Sequence, residues 1–395
     1  MKKMIVLALM AVATLSGTAQ QSLDWGQRPL QSPEINSDRT VTFRLKAPEA
    51  QRVMLTGDFV QEQQGVAMTK GEDGVWQYTT PQALAPELYY YAFNADGLRM
   101  NDPLNVYQIR DVNTVMSIFL IGTAEECPYV VGDVPHGTVQ KVWYPSPTAN
   151  MTRRMTIYTP AGYDDSGITN PAEQESYPVL YLLHGMGGDE EAWSELGRAA
   201  QIMDNLIAQG KAVPMIVVMP NGNISQEAAP GEKAGAFAQP SFNLPHTMDG
   251  LYEEAFPDIV KYVEGHYRVK ADKRHRAVAG LSMGGFHSFY LSANHPDWFD
   301  YVGLFSAAVM REPRDGGASP IYKDLDAKLA RLFAAKPQLY WIGIGREDFL
   351  YEMNADLRRQ FDEKGYRYTY VESTGGHIWR NWRCYLTEFA QLLFK

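Results

Sequence analysis

At 395 residues the chain exceeds one ordinary domain, and two are predicted. With 45% hydrophobic and 21% charged residues it has apolar material for a sizeable core and no compositional mark of disorder. A formal net charge of -10 argues against wrapping nucleic acid or sitting on an anionic membrane, both of which demand clustered Lys and Arg, and favours neutral or apolar substrates.

The chain opens on Lys2 and Lys3, an apolar run from Met4 to Ala13, then Gly17 and Ala19. This is the pattern of a secretory signal cut after Ala19, so residues 1–19 are expected to be absent from the mature protein, which would be periplasmic or extracellular. The run is too short to cross a bilayer, no later stretch reaches the ~20 apolar residues a spanning helix needs, and no cysteine follows to take a lipid. No membrane anchor is expected. Cys127 and Cys384 are the only cysteines, and in an oxidising compartment they are either a disulfide or two buried small hydrophobes. No protein partner is legible.

Residues 30–125 are a series of short β-rich runs broken by turns: TVTFRLKAP, RVMLTGDF, VWQYTT, ELYYYAF and TVMSIFLIG. That spacing predicts an all-β sandwich. Tyr89 to Tyr91 alternate along one strand, so at least one is a core residue, and the module is read as a lid or brace on the C-terminal domain, with carbohydrate binding as the alternative. Residues 126–137 have linker chemistry in VGDVPHG.

From residue 138 to 395 strand, loop and helix alternate, which predicts a mostly parallel sheet with helices on both faces. Strands are read at VQKVWYPS, RRMTIYTP, YPVLYLLHG, PMIVVMPNG, RHRAVAG, YVGLFSA, QLYWIGIG and RYTYVES. Helices are read at 199–209, 252–267, after Ser282, and at 380–394. The segment 224–245, rich in Gly, Ala and Pro, reads as a surface insertion.

Gly280-Leu281-Ser282-Met283-Gly284 lies between an apolar strand and a helix. A nucleophilic serine must sit on a tight strand-to-helix turn, and small residues two before and two after it let the backbone close. The turn aims the following helix N-terminus at a developing oxyanion. The hydroxyl needs a base, and in the α/β-hydrolase fold, the expectation to which this turn points, the histidine comes last in chain order. Of eight histidines only His287, His295 and His377 follow Ser282, and the first two lie on or at the end of the helix the serine introduces. His377, just past a β-like run, is the base. Asp348, beyond the strand ending at Gly345, is the acid that orients it; Glu347 and Glu352 are the alternatives. The loop His184-Gly185-Met186-Gly187-Gly188 supplies the second oxyanion donor. The Met186 and Met283 amides are assigned, with Gly187 as neighbour, and His184 is read as a structural residue holding the loop.

The set YLLHGMGGDEEAW, VVMPNGN, GLSMGGFHS, GIGREDFLYE and GGHIWRNWR resembles the carbohydrate esterases of the family 1 type, which include feruloyl and acetylxylan esterases. The β-module looks like the immunoglobulin-like early-set domains, of the module 48 kind, found ahead of glycan-active enzymes. By motif, the resemblance assigns Ser282 as nucleophile, Asp348 as acid and His377 as base, and it implies a feruloylated or acetylated plant polysaccharide substrate with no metal or organic cofactor. Asn221, Asn223, Trp193 and Trp379 become candidates to line the cleft, each with a structural alternative: Asn in a turn, Trp as packing. Acetylxylan esterase, siderophore esterase, acyltransferase to a sugar and non-catalytic glycan binding are the competing readings.

Overall fold

A computed structural model describes residues 30–62, 64–164, 175–232, 244–310 and 319–395. The expected signal segment lies outside these residues, as does the middle of the 224–245 insertion.

The β-module holds ten strands: β1 (Glu34–Ile35), β2 (Val41–Lys46), β3 (Val53–Gly57), β4 (Val66–Ala67), β5 (Thr69–Lys70), β6 (Val75–Thr79), β7 (Glu87–Ala95), β8 (Leu98–Met100), β9 (Gln108–Asp111) and β10 (Thr114–Ile121). One sheet runs β1-β2-β6-β5, and the other β4-β3-β7-β10-β9 with β8 on β7. Because side chains alternate across a strand, Val41, Phe43 and Leu45 of β2 meet Tyr89, Tyr91 and Phe93 of β7 in a sandwich core. Leu88, Ile109, Met116 and Ile118 instead join a core shared with the second domain. Tyr90 is 42% exposed, so two of the three consecutive tyrosines are core.

The second domain is built on β11 (Thr138–Ser146), β12 (Met151–Thr159), β13 (Val179–Leu183), β14 (Ile216–Pro220), β15 (Arg276–Leu281), β16 (Tyr301–Phe305), β17 (Leu339–Gly345) and β18 (Thr369–Ser373). Their order is β11-β12-β14-β13-β15-β16-β17-β18. β12 is antiparallel to both neighbours and every pair from β14 onward is parallel. This is the α/β-hydrolase sheet. Its central strands are buried on both faces, which is why they read as continuous apolar runs.

The helices are α1 (Ala192–Glu195), α2 (Ala199–Ala208), α3 (Leu251–His266), α4 (Met283–Asn294), α5 (Leu325–Ala334), α6 (Tyr351–Lys364) and α7 (Trp379–Ala390). Tyr181, Val218, Val278 and Ile342 pack with α3 to α6 in one cluster. Their strand neighbours Leu180, Val217, Ala279 and Trp341 pack with α1, α2 and α7 in the other, and it is this second cluster that the β-module enters.

Ion pairs reinforce the apolar junction. Glu87 of β7, 5% exposed, accepts from Arg380 Nε (2.8 Å), Arg383 Nη2 (2.7 Å) and the Tyr129 hydroxyl (2.8 Å). A buried carboxylate is tolerated only with such full pairing. The connecting segment is also pinned: Asn205 Nδ2 donates to the carbonyls of Pro128 (2.6 Å) and Val130 (2.8 Å), and the Gly137 amide to Asp204 (2.9 Å). Cys127 is buried and Cys384 exposed, and both are free, so neither sequence expectation for the pair holds in full.

Candidate active site

β15 ends at Leu281 and α4 begins at Met283, leaving Ser282 alone in the turn with φ 53° and ψ -112°. That conformation costs a non-glycine residue about 1–3 kcal/mol and persists only where the surroundings impose it. They do so through the Ser282 amide, which donates to Phe305 O (2.9 Å), and the Ser282 carbonyl, which accepts from Phe286 (3.0 Å) and Ala308 (3.0 Å). A Cβ on Gly280 would stand 2.5 Å from the Gly284 backbone, and one on Gly284 only 2.3 Å from the Leu183 carbonyl oxygen. The two motif glycines are therefore demanded by close backbone approach. As the first helical residue, Met283 has an amide with no acceptor within the helix, and Met283 lines the same cleft as Ser282.

His377 stands just beyond β18. Its Nδ1 lies 2.9 and 3.0 Å from the two carboxylate oxygens of Asp348, whose side chain is fully buried. Glu347 and Glu352 are exposed, and neither makes this contact. Burial pushes the Asp348 carboxyl up, but the hydrogen bonds from His377 and from the Leu350 amide outweigh it and hold the group below its usual range. An ionised Asp348 fixes the tautomer that leaves His377 Nε2 without a proton. The imidazole is held edge-on by Trp382 (4.9 Å between ring centres) and flanked by Phe349 (4.6 Å).

The loop after β13 is braced from several sides. His184 is 2% exposed; its Nδ1 lies 2.7 Å from Gly185 O, and its Nε2 accepts from the Gly222 amide at 2.7 Å. Burial lowers its pKa to about 4, so the ring is neutral and both nitrogens are engaged. Glu190, also buried, accepts from Arg154 Nε (2.6 Å), Asn221 Nδ2 (2.9 Å) and the Ala229 amide (2.9 Å). Among the described residues, no group of three or more His, Cys, Asp or Glu is arranged to hold a metal ion.

Ser282 and His377 open on one cleft of about 920 Å³. Met186, Met248, Met283, Met310 and Met353 line much of it, so its walls are apolar and deformable. Gly187 is not among the lining residues. Trp379 does line the cleft, but three other candidates do not. Trp193 is 1% exposed, donates from Nε1 to Leu183 O (2.9 Å) and packs edge-on to Trp379 (5.4 Å). Asn221 is wholly buried, tied to Glu190 and accepting from the Asn223 amide (2.8 Å). Asn223 Nδ2 donates to Gly188 O (2.7 Å). Their polar atoms are consumed in holding the loops, which corrects the expectation that they face substrate.

What sequence reasoning missed is the other wall. Asp58, Tyr90, Arg99, Asp111, Val112 and Asn113 of the β-module also line the cleft. Asp58 is open to the cleft, yet the walls around it push its carboxyl up to about 7 by desolvation. The only signal for this wall in the sequence was the alternation in ELYYYAF, which puts Tyr90 outside the sandwich core.

Among known proteins, the chain is 31% identical over 364 residues to an endo-1,4-β-xylanase/feruloyl esterase of Xylanibacter ruminicola, an alignment covering 92% of this chain and 46% of that protein. The chain thus spans about half the length of this relative. A solved ferulic acid esterase is 27% identical with a TM-score of 0.50, covering 65% of this chain and 98% of the other. The enterobactin esterase of Shigella flexneri shares the fold over 89% of this chain and 92% of its own, with a TM-score of 0.61 at 19% identity. Residues 31–106 match carbohydrate-binding module 48, the isoamylase N-terminal domain. Residues 146–392, well over half of the chain, match the family described as "Putative esterase". The strand order, the strained serine turn and this match agree: the chain belongs to that esterase family.

Proposed function

We propose that the protein is an exported serine carboxylic-ester hydrolase that removes feruloyl groups from plant cell-wall polysaccharide such as arabinoxylan. The observation that carries this reading is the methionine-lined cleft of about 920 Å³ opening on Ser282 and His377. A hydroxycinnamoyl ring needs apolar walls of that extent, whereas an acetyl group needs only a small recess. The names of the Xylanibacter relative and of the 27% identical ferulic acid esterase support the same acyl group.

In the proposed reaction the Ser282 hydroxyl oxygen attacks the ester carbonyl while His377 Nε2 takes its proton. The Met186 and Met283 amides stabilise the oxyanion, and the tetrahedral species collapses as His377 returns the proton to the departing sugar hydroxyl. Water, deprotonated by the same imidazole, then cleaves the acyl-enzyme to release ferulate and restore Ser282. Asp348 stays ionised and stabilises the imidazolium at each stage.

Release of ferulate and acetate, measured together from feruloylated and acetylated arabinoxylan oligosaccharides, tests the proposal with Ser282→Ala as blank. Ferulate release that vanishes in the blank is expected. Acetate alone would make the enzyme an acetylxylan esterase, and neither product would redirect the search to siderophore esters or sugar acceptors for acyl transfer. Export is tested by the N-terminus of protein recovered outside the cytoplasm, which is expected to begin at Gln20.

A further inference from the structure

We propose that the β9–β10 hairpin of the β-module sets the geometry of the oxyanion loop, with Arg110 and Val112 as positioning residues for attack at Ser282. The inference rests on the reading of Ser282 as nucleophile, but not on which ester it cleaves.

Val112, at the hairpin tip, has φ 52°. A β-branched residue in the left-handed region is a strained outlier and needs an external reason. The reason lies across the domain boundary. Gly187 has φ +80°, and the three heavy atoms nearest to where its Cβ would stand all belong to the Val112 side chain, the closest at 2.7 Å. Val112 therefore fills the space over Gly187, next to Met186, whose amide is assigned to the oxyanion.

Arg110 fastens the same contact from behind. Its Nη1 donates to the Val112 carbonyl (2.9 Å), and its Nη2 is paired with Asp189, a carboxylate only 2% exposed at the end of the loop. Asp189 Oδ1 in turn accepts from the Glu191 amide (3.0 Å). On the other side of the tip, Asp111 Oδ1 accepts from Trp379 Nε1 at 3.5 Å, two residues beyond His377. A single hairpin thus touches both the loop that supplies the oxyanion donor and the segment that carries the base. Other braces on the oxyanion loop, His184 at Gly185 and Asn223 at Gly188, flank Gly187 without covering it.

A junction serving cohesion alone would make these residues matter for stability and not for rate. The test uses the full chain, with Val112→Gly, Arg110→Ala and Arg110→Lys, and with Arg39→Gln as control. Arg39 pairs with Glu126 (2.8 Å) at the module surface, away from the cleft. The readouts are the rate of Ser282 labelling by a fluorophosphonate, kcat and KM on methyl ferulate, and thermal unfolding, with rates taken per titrated serine.

Val112→Gly and Arg110→Ala are expected to slow labelling and kcat about tenfold or more with KM within about twofold, since a mis-set donor acts on the transition state. Arg110→Lys keeps the charge at Asp189 and recovers most of the rate, and Arg39→Gln leaves it unchanged. Wild-type labelling and kcat in both Val112→Gly and Arg110→Ala would overturn the inference, as would an equal loss in Arg39→Gln. A wild-type chain that labels at Ser282 yet releases no ferulate would sink only the substrate reading; one that does not label would overturn both.

Discussion

The loops after β13 and β18 both line the cleft and each carries a histidine, and the two histidines differ in every property that matters for proton transfer. His184 is buried, with one nitrogen against a carbonyl and the other accepting from an amide, so the cost of desolvating a cation keeps it neutral. His377 has a side chain 18% exposed and, among the described residues, spends only Nδ1, on Asp348, leaving Nε2 for the cleft. The residue type is the same in both loops. Burial and the number of engaged nitrogens divide brace from base.

The widest separation between the two is expected in catalysis. His377→Gln should lower kcat by about 10⁴-fold or more with the unfolding temperature nearly unchanged, because it removes the base and little packing. Asp348→Asn, measured on the same ester, is expected to cost about 10³–10⁴-fold by releasing the tautomer while leaving the shape of the site. If His184→Gln matched the loss in His377→Gln at equal folded fraction, the division of roles would be broken. We expect instead a loss of about 10–100-fold in kcat together with roughly 1–3 kcal/mol of stability, since the amide of Gly222 loses its acceptor.

Stability against pH sharpens the same contrast. The His184 pKa is depressed in the folded protein to about 4 from an ordinary value of 6.5. Between those values the unfolded chain binds a proton that the native state refuses. This contribution is therefore complete above about pH 6.5 and falls as the pH drops toward 4, by up to about 3 kcal/mol. Denaturant titrations from pH 7 to 4 should show this slope in the difference between wild type and His184→Gln, because the opposite contribution of Asp58, raised to about 7, is common to both. The smallest effect on catalysis is expected for Asn223→Ala: it removes a buried bond to Gly188 O, costing about 1–3 kcal/mol of stability, while KM shifts less than about twofold. A large rise in KM with stability intact would return Asn223 to the substrate.

The proposed nucleophile and its proposed partners could be picked out in the sequence because their constraints are local or ordinal. G-x-S-x-G is a steric condition on five consecutive residues, written in the 2.3–2.5 Å approaches that Cβ atoms on Gly280 and Gly284 would make. The position of His377 follows from chain order, and that of Asp348 from the end of β17. The side-chain period of two likewise marked the core of ELYYYAF. The asparagines and Trp193 were misplaced because a polar atom near a catalytic motif looks alike in sequence whether it meets a ligand or a carbonyl.

By itself, then, the sequence determined the sandwich, the parallel sheet and the three residues proposed for catalysis, each set by periodicity, sterics or strand order. Tertiary structure alone decided that the cleft has a second wall. The contacts that build that wall join Arg110 to Asp189, Asp111 to Trp379 and Glu87 to Arg383 across 79, 268 and 296 residues. Such pairs leave no local pattern, because their partners meet only once two independently patterned domains have packed face to face.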